Sequence, residues 1–527
     1  MANRLKDTDV VIVGLGAAGG VAALPLAQAG IEVVGLEAGT WLTRKDFAPD
    51  ELRNNVRGWP QSVQKANQEI PTSRPNASSP TAPRGTVHPM QNSVGGTTLH
   101  YWGQSWRLNP WDFKVVSETT RRYGASRIPK GSTVEDWPFD YDELEAYYDK
   151  VEYEVGVSGQ AGNVDGRIDP RGNPFEAPRR RGYPMPPLRW TEFIEKMAGS
   201  AKSLGFHPFP GPAAVNSRSY QNRSPCMYHG FCNRGGCHVD AKNSTMVTTI
   251  PRAQATGRLK VVTRAHVTTI EVDANGQVAG VNYLTDGVEY FQPAKVVLVA
   301  GYTYENVRLL LLSKSKAFPN GLSNNHGQVG RHYFSHNMLA GVSALFRSNT
   351  SSWYGLPAQG VAVDDWADDN FDHSGLDFIG GGNLWVYSDR RPIGAAGMST
   401  FGRAPAWGSA WKAFIKENER RVSLFTQGKM EQWYREAGAV AIQRAPVGGA
   451  MGISTHAYGG TRMGDNPATN VVDRWGLSHE APNLGVLGAS TMGTSGAHNP
   501  TLTVQALAWR TAEHLAKNWN RISNRRS

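Results

Sequence analysis

The apolar positions at the start of the chain predict a strand, a helix and a second strand, in that order. Residues 9–14 (DVVIVG) form a continuous apolar run, which is typical of a strand buried on both faces. Residues 20–30 have the length and composition of a buried helix, and residues 31–37 (IEVVGLE) form a second apolar run. This order and spacing predict a βαβ unit of a parallel sheet.

A second part of the same fold is predicted in the middle of the chain. Residues 258–270 predict a pair of strands, with a turn at residues 273–276. The run KVVLVAG, which ends at Ala300 and Gly301, predicts a buried strand that leads into a helix over residues 306–312. The chain therefore returns to the parallel sheet, and we predict a domain assembled from discontinuous segments.

Other regions depart from this pattern. Residues 136–205 have helical periodicity, residues 338–447 have strand-like segments rich in tryptophan, and the Pro-, Asn- and Ser-rich residues 45–92 predict a long loop. We predict an α/β fold (α+β overall): a discontinuous Rossmann-like nucleotide-binding domain over residues 1–120, 206–337 and 448–527, a helical insertion over 121–205, and a substrate-binding domain with a mainly antiparallel sheet over 338–447.

The turn of the first βαβ unit predicts a dinucleotide site. Gly14, Gly16 and Gly19 form G-x-G-x-x-G, which lets the backbone approach a pyrophosphate at the helix N-terminus. Glu37 ends the second strand, where a carboxylate would bind the ribose hydroxyls. No basic residue follows it to bind a 2′-phosphate, which favours FAD or NAD over NADP. The alternative is a glycine-rich turn without a ligand.

A second glycine motif lies in residues 92–103 (NSVGGTTLHYWG). Gly95 and Gly96 would allow the backbone to lie against a flat ligand, and His100 would then place a ring nitrogen close to it. The alternative is a histidine that is hydrogen-bonded in a polar loop.

All three cysteines lie within twelve residues of each other, at Cys226, Cys232 and Cys237. An odd number at such short spacing argues against a disulfide framework. Three thiolates in one glycine-containing loop can bind an iron–sulfur cluster. A tetrahedral zinc site would need His229 or His238 as its fourth ligand, and three reduced cysteines without a ligand are the remaining alternative.

Two polar residues near the end of the chain are candidates for catalysis. His456 lies in THAYGGTRMG and Asn499 in GTSGAHNPTLT. Alcohol oxidation by hydride transfer needs one group to take the hydroxyl proton and another to bind the oxygen. We expect His456 to be the base, with an ordinary pKa of about 6.5, and Asn499 to be the hydrogen-bond donor. His498 is also close in sequence, but we do not expect it to be catalytic.

Composition and charge exclude several classes of protein. The net charge of +10 comes from scattered basic residues, so nucleic-acid binding is not indicated. No run approaches the roughly 18 apolar residues of a membrane helix. The chain begins without the pattern of a signal peptide, so we expect either a cytoplasmic protein or export together with a partner.

With these motifs together, the sequence resembles the glucose–methanol–choline (GMC) oxidoreductases, and within them the carbohydrate branch. The resemblance implies FAD as cofactor and oxidation of a secondary ring hydroxyl of a sugar or glycoside, at C3 or C2. It implies that Pro500 and Thr501 lie near the isoalloxazine. The FAD contacts implied are Gly14, Gly16, Gly19, Glu37, Gly95, Gly96, His100, Val267, Ala300, Gly301 and Ala489.

The two most informative motifs resemble different members of the family. VGGTTLHYWG is similar to the segment of pyranose 2-oxidases whose histidine, here His100, bonds covalently to the flavin. The same segment is also similar to glucose and gluconate dehydrogenases, where no such bond is expected. The cysteine loop resembles the flavin subunits of those dehydrogenases, which implies a [3Fe-4S] cluster, a cytochrome c acceptor and a small export-carrying subunit. Those proteins often carry one more cysteine in the region of His229.

Three other functions remain open from the sequence. One is an oxidase that passes electrons directly to oxygen, another is a GMC dehydrogenase of a non-sugar alcohol, and the third is a flavoprotein kept for assembly. Glycoside 3-dehydrogenases and 3-oxidases resemble the chain equally well. We expect one or two tryptophans of residues 338–447 to stack on a sugar ring, although core packing is their commoner role. They are Trp353, Trp366, Trp385, Trp407, Trp411 and Trp433.

Overall fold

A computed structural model of the chain describes residues 2–56, 72–73, 78–80, 82–83, 91–232, 235–336, 341–348, 350, 354–387, 417–447 and 456–523. Most of the predicted loop at residues 45–92 lies outside the described residues. The same holds for part of the predicted substrate-binding domain, including Trp353, Trp407 and Trp411.

The strands of the described residues are β1 (Asn3–Arg4), β2 (Thr8–Val13), β3 (Val33–Leu36), β4 (Thr72–Ser73), β5 (Ala82–Pro83), β6 (Asn163–Val164), β7 (Arg167–Ile168), β8 (Pro208–Pro210), β9 (Leu259–Val262), β10 (His266–Val272), β11 (Val278–Thr285), β12 (Val288–Val299), β13 (Phe334–Ser335), β14 (Val342–Leu345), β15 (Val361–Val363), β16 (Leu384–Val386), β17 (Ala441–Arg444), β18 (Ala457–Tyr458) and β19 (Leu484–Val486).

The α-helices of the same residues are α1 (Ala17–Gln28), α2 (Pro110–Phe113), α3 (Val115–Tyr123), α4 (Tyr141–Val151), α5 (Glu192–Ser203), α6 (Thr249–Ala255), α7 (Thr303–Leu312), α8 (Glu417–Glu436), α9 (Thr501–Lys517) and α10 (Trp519–Ser523). None of these helices combines the length and apolar character that a bilayer-spanning helix requires.

The main sheet confirms the predicted α/β fold. Its strand order is β10-β11-β12-β2-β3-β9, and β19 also pairs with the end of β12. Strands β12, β2, β3, β9 and β19 are parallel, whereas β10 and β11 form an antiparallel extension joined by the predicted turn at residues 273–276. The central parallel strands are mainly apolar and buried, from Val10 to Val13 in β2 and over Val33–Leu36 in β3, because helices cover them. Helix α1 packs against α6 and α9, so the end of the chain completes the fold of its beginning.

The helical patterns predicted between residues 136 and 205 are confirmed as α4 and α5. Leu144, Tyr148 and Val151 of α4 join the same core as the parallel sheet, while α5 packs against α8 in a separate core. The boundaries of the three predicted domains stay a prediction.

The region after residue 338 contains antiparallel strands and one long helix. Strand β15 pairs antiparallel with β8 and β16, and β14 pairs antiparallel with β17. The prediction of strand-like segments is wrong for Glu417–Glu436, which is α8. Ser423, Thr426, Met430 and Trp433 are buried there at three- and four-residue intervals, as on one face of a helix.

Candidate active site

The turn between β2 and α1 requires its glycines. Gly14 has φ +92, and a Cβ there would lie 2.7 Å from the carbonyl oxygen of Ala300. A Cβ on Gly19 would lie 2.0 Å from the carbonyl oxygen of Gly14. The turn is therefore held against the end of β12 at Ala300 and Gly301, at the carboxyl ends of neighbouring parallel strands, where nucleotide sites form in such sheets.

The second glycine motif packs directly on this turn. Gly95 has φ +92, and its N–H donates to the carbonyl of Leu15 at 2.9 Å. A Cβ on Gly96 would lie 2.9 Å from the Cα of Gly16. Residues 96–99 form a short 3₁₀ helix that ends at the buried His100. The two glycine motifs, far apart in sequence, thus form one backbone cradle.

Glu37 is held inside this cradle by backbone amides. The N–H groups of Leu15 and Gly39 donate to its carboxylate at 3.0 and 2.9 Å. Burial raises the pKa of Glu37 to about 7, and the backbone hydrogen bonds oppose that shift. The N–H of Ala265 donates to the carbonyl of Glu37, and Val267 of β10 lies two residues further along the chain. A buried acid beside glycine turns that admit no Cβ fits the ribose and pyrophosphate of FAD.

Asn306 fixes the remaining predicted contact segments to each other. Its Oδ1 accepts from the N–H of Gly301 at 2.8 Å, and its Nδ2 donates to the carbonyl of Leu487 and to Oγ of Ser490, both at 2.9 Å. Ala489 lies in the short helix that these bonds hold, and its carbonyl accepts from the N–H of Gly459. This tie brings the Ala489 segment to the nucleotide cradle.

The structure brings His456 and Asn499 into contact. Nδ2 of Asn499 lies 3.1 Å from Nε2 of His456. Asn499 precedes Pro500 and Thr501 at the start of α9, and His456 immediately precedes β18, which pairs with β13. The strand pair and the helix therefore position the two side chains that the sequence motifs single out.

The pKa of His456 differs from the ordinary value expected from sequence. Burial lowers it to about 4. The imidazole is therefore neutral over the physiological range, so it can accept a proton, as a general base requires.

Two residues of the site were missed by sequence reasoning. Nδ1 of His336 lies 2.9 Å from Nδ1 of His456, and the hydroxyl of Tyr458 lies 2.9 Å from Nε2 of His336. Burial and the neighbouring His456 lower the pKa of His336 well below its usual range. Tyr458 lies two positions after His456 and points to the same side of the strand pair, whereas no sequence pattern links His336 to the motif.

His498 contacts residues other than the His456–Asn499 pair. Its Nε2 lies 3.0 Å from a carboxylate oxygen of Asp364, and its ring stacks on Trp106 with centroids 5.0 Å apart. Burial lowers the pKa of His498, but the Asp364 carboxylate outweighs burial, and the net shift is upward. Asp364 also accepts from the amides of Asn173 and Asn383, each at 2.6 Å.

Two further buried acids, Asp112 and Asp368, lie next to the loop that carries Asn499. Asp112 and Asp368 interact, and burial followed by their mutual repulsion raises the pKa of Asp112 well above its usual range. A Cβ on Gly496 would lie 2.2 Å from the carboxylate of Asp112, and the N–H of Ala497 donates to Asp368. The loop that carries Asn499 therefore rests on buried polar side chains.

The cysteine loop forms a compact unit in which the three thiols interact electrostatically. Burial raises the pKa of Cys226 to about 12 and also raises that of Cys232. Backbone N–H groups of Tyr228 and Ala241 donate to the sulfur atoms of Cys226 and Cys237 at 3.4 and 3.2 Å.

The backbone of this loop is wrapped around the thiols. Tyr228, Phe231 and Asp240 have φ of 54, 65 and 55 degrees, a conformation that non-glycine residues adopt only when the surroundings impose it. The buried ammonium of Lys242 donates to the carbonyl of Gly235 at 2.7 Å. Burial lowers the pKa of Lys242, and the nearby cysteines oppose that shift.

The zinc alternative finds no support in the described residues, where no three His, Cys, Asp or Glu side chains are placed to hold one metal ion. His229 and His238 lie side by side, with ring centroids 4.8 Å apart. The same finding covers Cys226, Cys232 and Cys237, which are not placed as a set of metal ligands among the described residues, although backbone N–H groups are directed at two of their sulfur atoms.

Comparison with known proteins is consistent with this architecture. Profiles of the GMC oxidoreductase family match residues 197–338 and 403–508. The chain is 30% identical to the gluconate 2-dehydrogenase flavoprotein of Pantoea cypripedii, over 98% of this chain and 95% of that protein. It is 28% identical to the fructose dehydrogenase large subunit of Gluconobacter japonicus, over 98% and 99% of the two chains. A solved formate oxidase of Aspergillus oryzae shares the fold, with a TM-score of 0.57 at 13% identity over 98% and 99%.

The chain belongs to the GMC oxidoreductase family. Family membership confirms the predicted enzyme class, an oxidoreductase of CH–OH groups, and supports FAD as the cofactor of the glycine cradle.

Proposed function

We propose that this protein oxidises a secondary ring hydroxyl of a sugar or glycoside, at C3 or C2, to the corresponding keto-sugar. The observation that carries the proposal is the contact of His456 with Asn499 at the start of α9, beside a cradle that fits FAD. The names of the two relatives, a gluconate dehydrogenase and a fructose dehydrogenase, support a sugar-like substrate.

The two side chains would divide the work on the hydroxyl group. A substrate hydroxyl would take the place of the Asn499 amide at Nε2 of His456. Neutral His456 would then take the hydroxyl proton at Nε2, while the Nδ2 of Asn499 would donate to the developing alkoxide. FAD, when bound, supplies the hydride acceptor. Gly14, Gly16, Gly19, Glu37, Gly95, Gly96, Val267, Ala300, Gly301 and Ala489 would hold it, with Pro500 and Thr501 near the ring system and His100 as the candidate for a covalent bond.

An aromatic cluster supports a sugar-binding role for one tryptophan. Trp385 of β16 lies 5.9 Å from Trp102, centroid to centroid, and Tyr387 lies 4.8 Å from both. Trp102 follows His100 by two positions, so this cluster adjoins the glycine motif of residues 92–103. Trp433, in contrast, is fully buried in a separate core. We infer that Trp385 contacts the substrate.

Anaerobic reduction of the bound flavin tests this proposal. Glucose, gluconate, fructose and several glycosides are each added to the oxidised protein, and bleaching of the flavin absorbance is followed. We expect rapid bleaching by at least one of them, with the new ketone located by NMR. Bleaching by aryl or aliphatic alcohols alone would contradict the sugar assignment. Stoichiometric peroxide formation on admission of air, without a dye acceptor, would assign the chain as an oxidase.

The pH dependence of turnover should show the lowered pKa of His456. Its folded pKa of about 4 lies below the usual 6.5, so the base remains unprotonated at pH 7 and at pH 5. We expect kcat/KM with a non-ionising sugar to stay level over this range and to fall as pH drops through about 4. An acidic limb near pH 6.5 would show that the base is a more exposed group.

We infer further that Cys226, Cys232 and Cys237 bind a [3Fe-4S] cluster that takes electrons from the flavin to a cytochrome c, with a small export-carrying subunit as partner. The position of three cysteines in one loop, the N–H groups directed at sulfur and the wrapped backbone support a sulfur-ligated cluster at this loop.

Iron and acid-labile sulfide in anaerobically purified protein test the cluster. We expect both in the parent, and neither in Cys232→Ser, which removes one ligand. Ser224→Ala, an exposed position two residues before Cys226 that carries no sulfur, is the control and should leave both values unchanged. Full flavin occupancy with no iron or sulfide in the parent would contradict the cluster.

A further inference from the structure

The positions of the hydrogen atoms on Asn499, His456 and His336 follow from the geometry of their contacts. The Nδ2 of Asn499 carries two hydrogens and has no lone pair to offer, so at 3.1 Å it donates to Nε2 of His456. A neutral His456 that accepts at Nε2 carries its own hydrogen on Nδ1. That hydrogen points at Nδ1 of His336, 2.9 Å away, which must therefore accept.

The hydrogen on the second ring nitrogen of His336 can be placed in the same way. With Nδ1 accepting, neutral His336 carries its hydrogen on Nε2, which lies 2.9 Å from the hydroxyl of Tyr458. The backbone of Gly496 also hydrogen-bonds to His336, and Ser495 hydrogen-bonds to Tyr458. The titratable groups that face His336 are His456, His498 and Tyr458, and His498 is already paired with Asp364. The rings of His336 and His456 are almost perpendicular, at 84°.

We propose that His336 is the positioning residue of the base: it holds His456 as the Nδ1–H tautomer and leaves Nε2 directed at the substrate hydroxyl. This inference rests on the proposed role of His456. When Nε2 of His456 takes the hydroxyl proton, both ring nitrogens carry hydrogen, and the bond from Nδ1–H to neutral His336 becomes charge-assisted. His336 therefore stabilises the protonated base without touching substrate, in the way that a third group orients many catalytic bases.

Two polar substitutions of different length separate this role from simple packing. In His336→Asn the amide oxygen can occupy the place of Nδ1 and still accept from His456. In His336→Gln the amide reaches the place of Nε2, near Tyr458, and Nδ1 of His456 loses its acceptor. We expect His336→Asn to keep kcat within about threefold, and His336→Gln to lose about 10- to 100-fold in kcat with KM nearly unchanged, a fraction of what a general base contributes.

Two further readouts would not respond to a structural role. The solvent deuterium isotope effect on kcat should increase in His336→Gln, because proton transfer to His456 becomes slower, while flavin content stays at the parent value. His332→Asn is the matched control, since His332 lies on the same segment and contacts Thr133 instead of the site. It should keep both kcat and the isotope effect.

Equal losses in His336→Asn and His336→Gln, or a fall in flavin content that accounts for the lost activity, would overturn the proposal. So would parental kcat in His336→Gln. The proposed function fails separately: if His456→Ala turns over normally, His456 is not the base. An inactive His456→Ala beside a fully active His336→Gln would reject the role of His336 alone.

Discussion

Replacement of His456 by alanine should abolish most turnover while leaving the flavin bound. The ring of His456 is hydrogen-bonded to Asn499 and His336, whereas the nucleotide part of the cofactor is expected to lie on the glycine cradle and Glu37, so we expect the flavin to stay bound. Loss of a general base costs about 10²- to 10⁴-fold in rate, or roughly 2.7 to 5.5 kcal/mol of transition-state stabilisation. The measurement is kcat at saturating sugar, together with the flavin absorbance of the purified variant.

The control for His456→Ala is His326→Ala, which removes an exposed histidine side chain and should leave kcat unchanged. Turnover of His456→Ala within a few-fold of the parent, at full flavin content, would reject His456 as the base. Anaerobic substrate binding without bleaching would instead support it, because the sugar would bind but its hydroxyl would keep its proton.

Replacement of Asp364 by alanine should be the most destabilising single change in the site region. The carboxylate is fully buried and accepts from His498, Asn173 and Asn383. Its removal leaves the buried imidazole of His498, the buried amide of Asn173 and the half-buried amide of Asn383 without this acceptor. Breaking a buried ion pair from one side costs about 3 to 5 kcal/mol, against a total stability of roughly 5 to 15 kcal/mol for a folded domain.

Asp365→Ala is the neighbouring control. Asp365 pairs with His207, whose side chain is 54% exposed, so its loss should cost at most about 1 kcal/mol. Urea unfolding at pH 6, with the flavin content matched between samples, measures the free energy of unfolding of both variants. Because the pKa of His498 is raised in the fold, its contribution is present below the unfolded value and is lost as pH rises through the folded value. The difference in free energy of unfolding between Asp364→Ala and the parent should therefore become smaller at alkaline pH. Equal urea midpoints for Asp364→Ala and Asp365→Ala would contradict the prediction.

The sequence motifs located those parts of the site whose chemistry dictates a local pattern. The turn at Gly14, Gly16 and Gly19 requires glycines because backbone approaches backbone there, and the apolar runs around it are long enough to predict the strands. His456 and Asn499 were paired because both lie in motifs with a recognisable composition. The structure places the two side chains in contact, while their catalytic roles stay a prediction.

Contacts between segments without motifs could not be predicted in this way. His336 reaches His456 only because β13 pairs with β18, and neither two-residue strand has a detectable period. Asp364 reaches His498 across the sheet formed by β8, β15 and β16. Helix α8 was missed because its buried face carries Ser423, Thr426 and Gln427 beside Met430 and Trp433, so the apolar stripe that identifies an amphipathic helix is weak.

The packing of α9 on α1 has a consequence for how the protein is made. The ribosome completes α1 roughly 25 to 95 seconds before it reaches the first residue of α9, at synthesis rates of about 5 to 20 residues per second. During that interval the apolar face of α1 lacks its final cover, and the parallel sheet lacks β19. The nascent chain therefore exposes apolar surface until α9 and β19 are made. Chaperones that hold unfolded chains can bind this surface during that interval. Activity should therefore appear only after α9 is free to pack on α1.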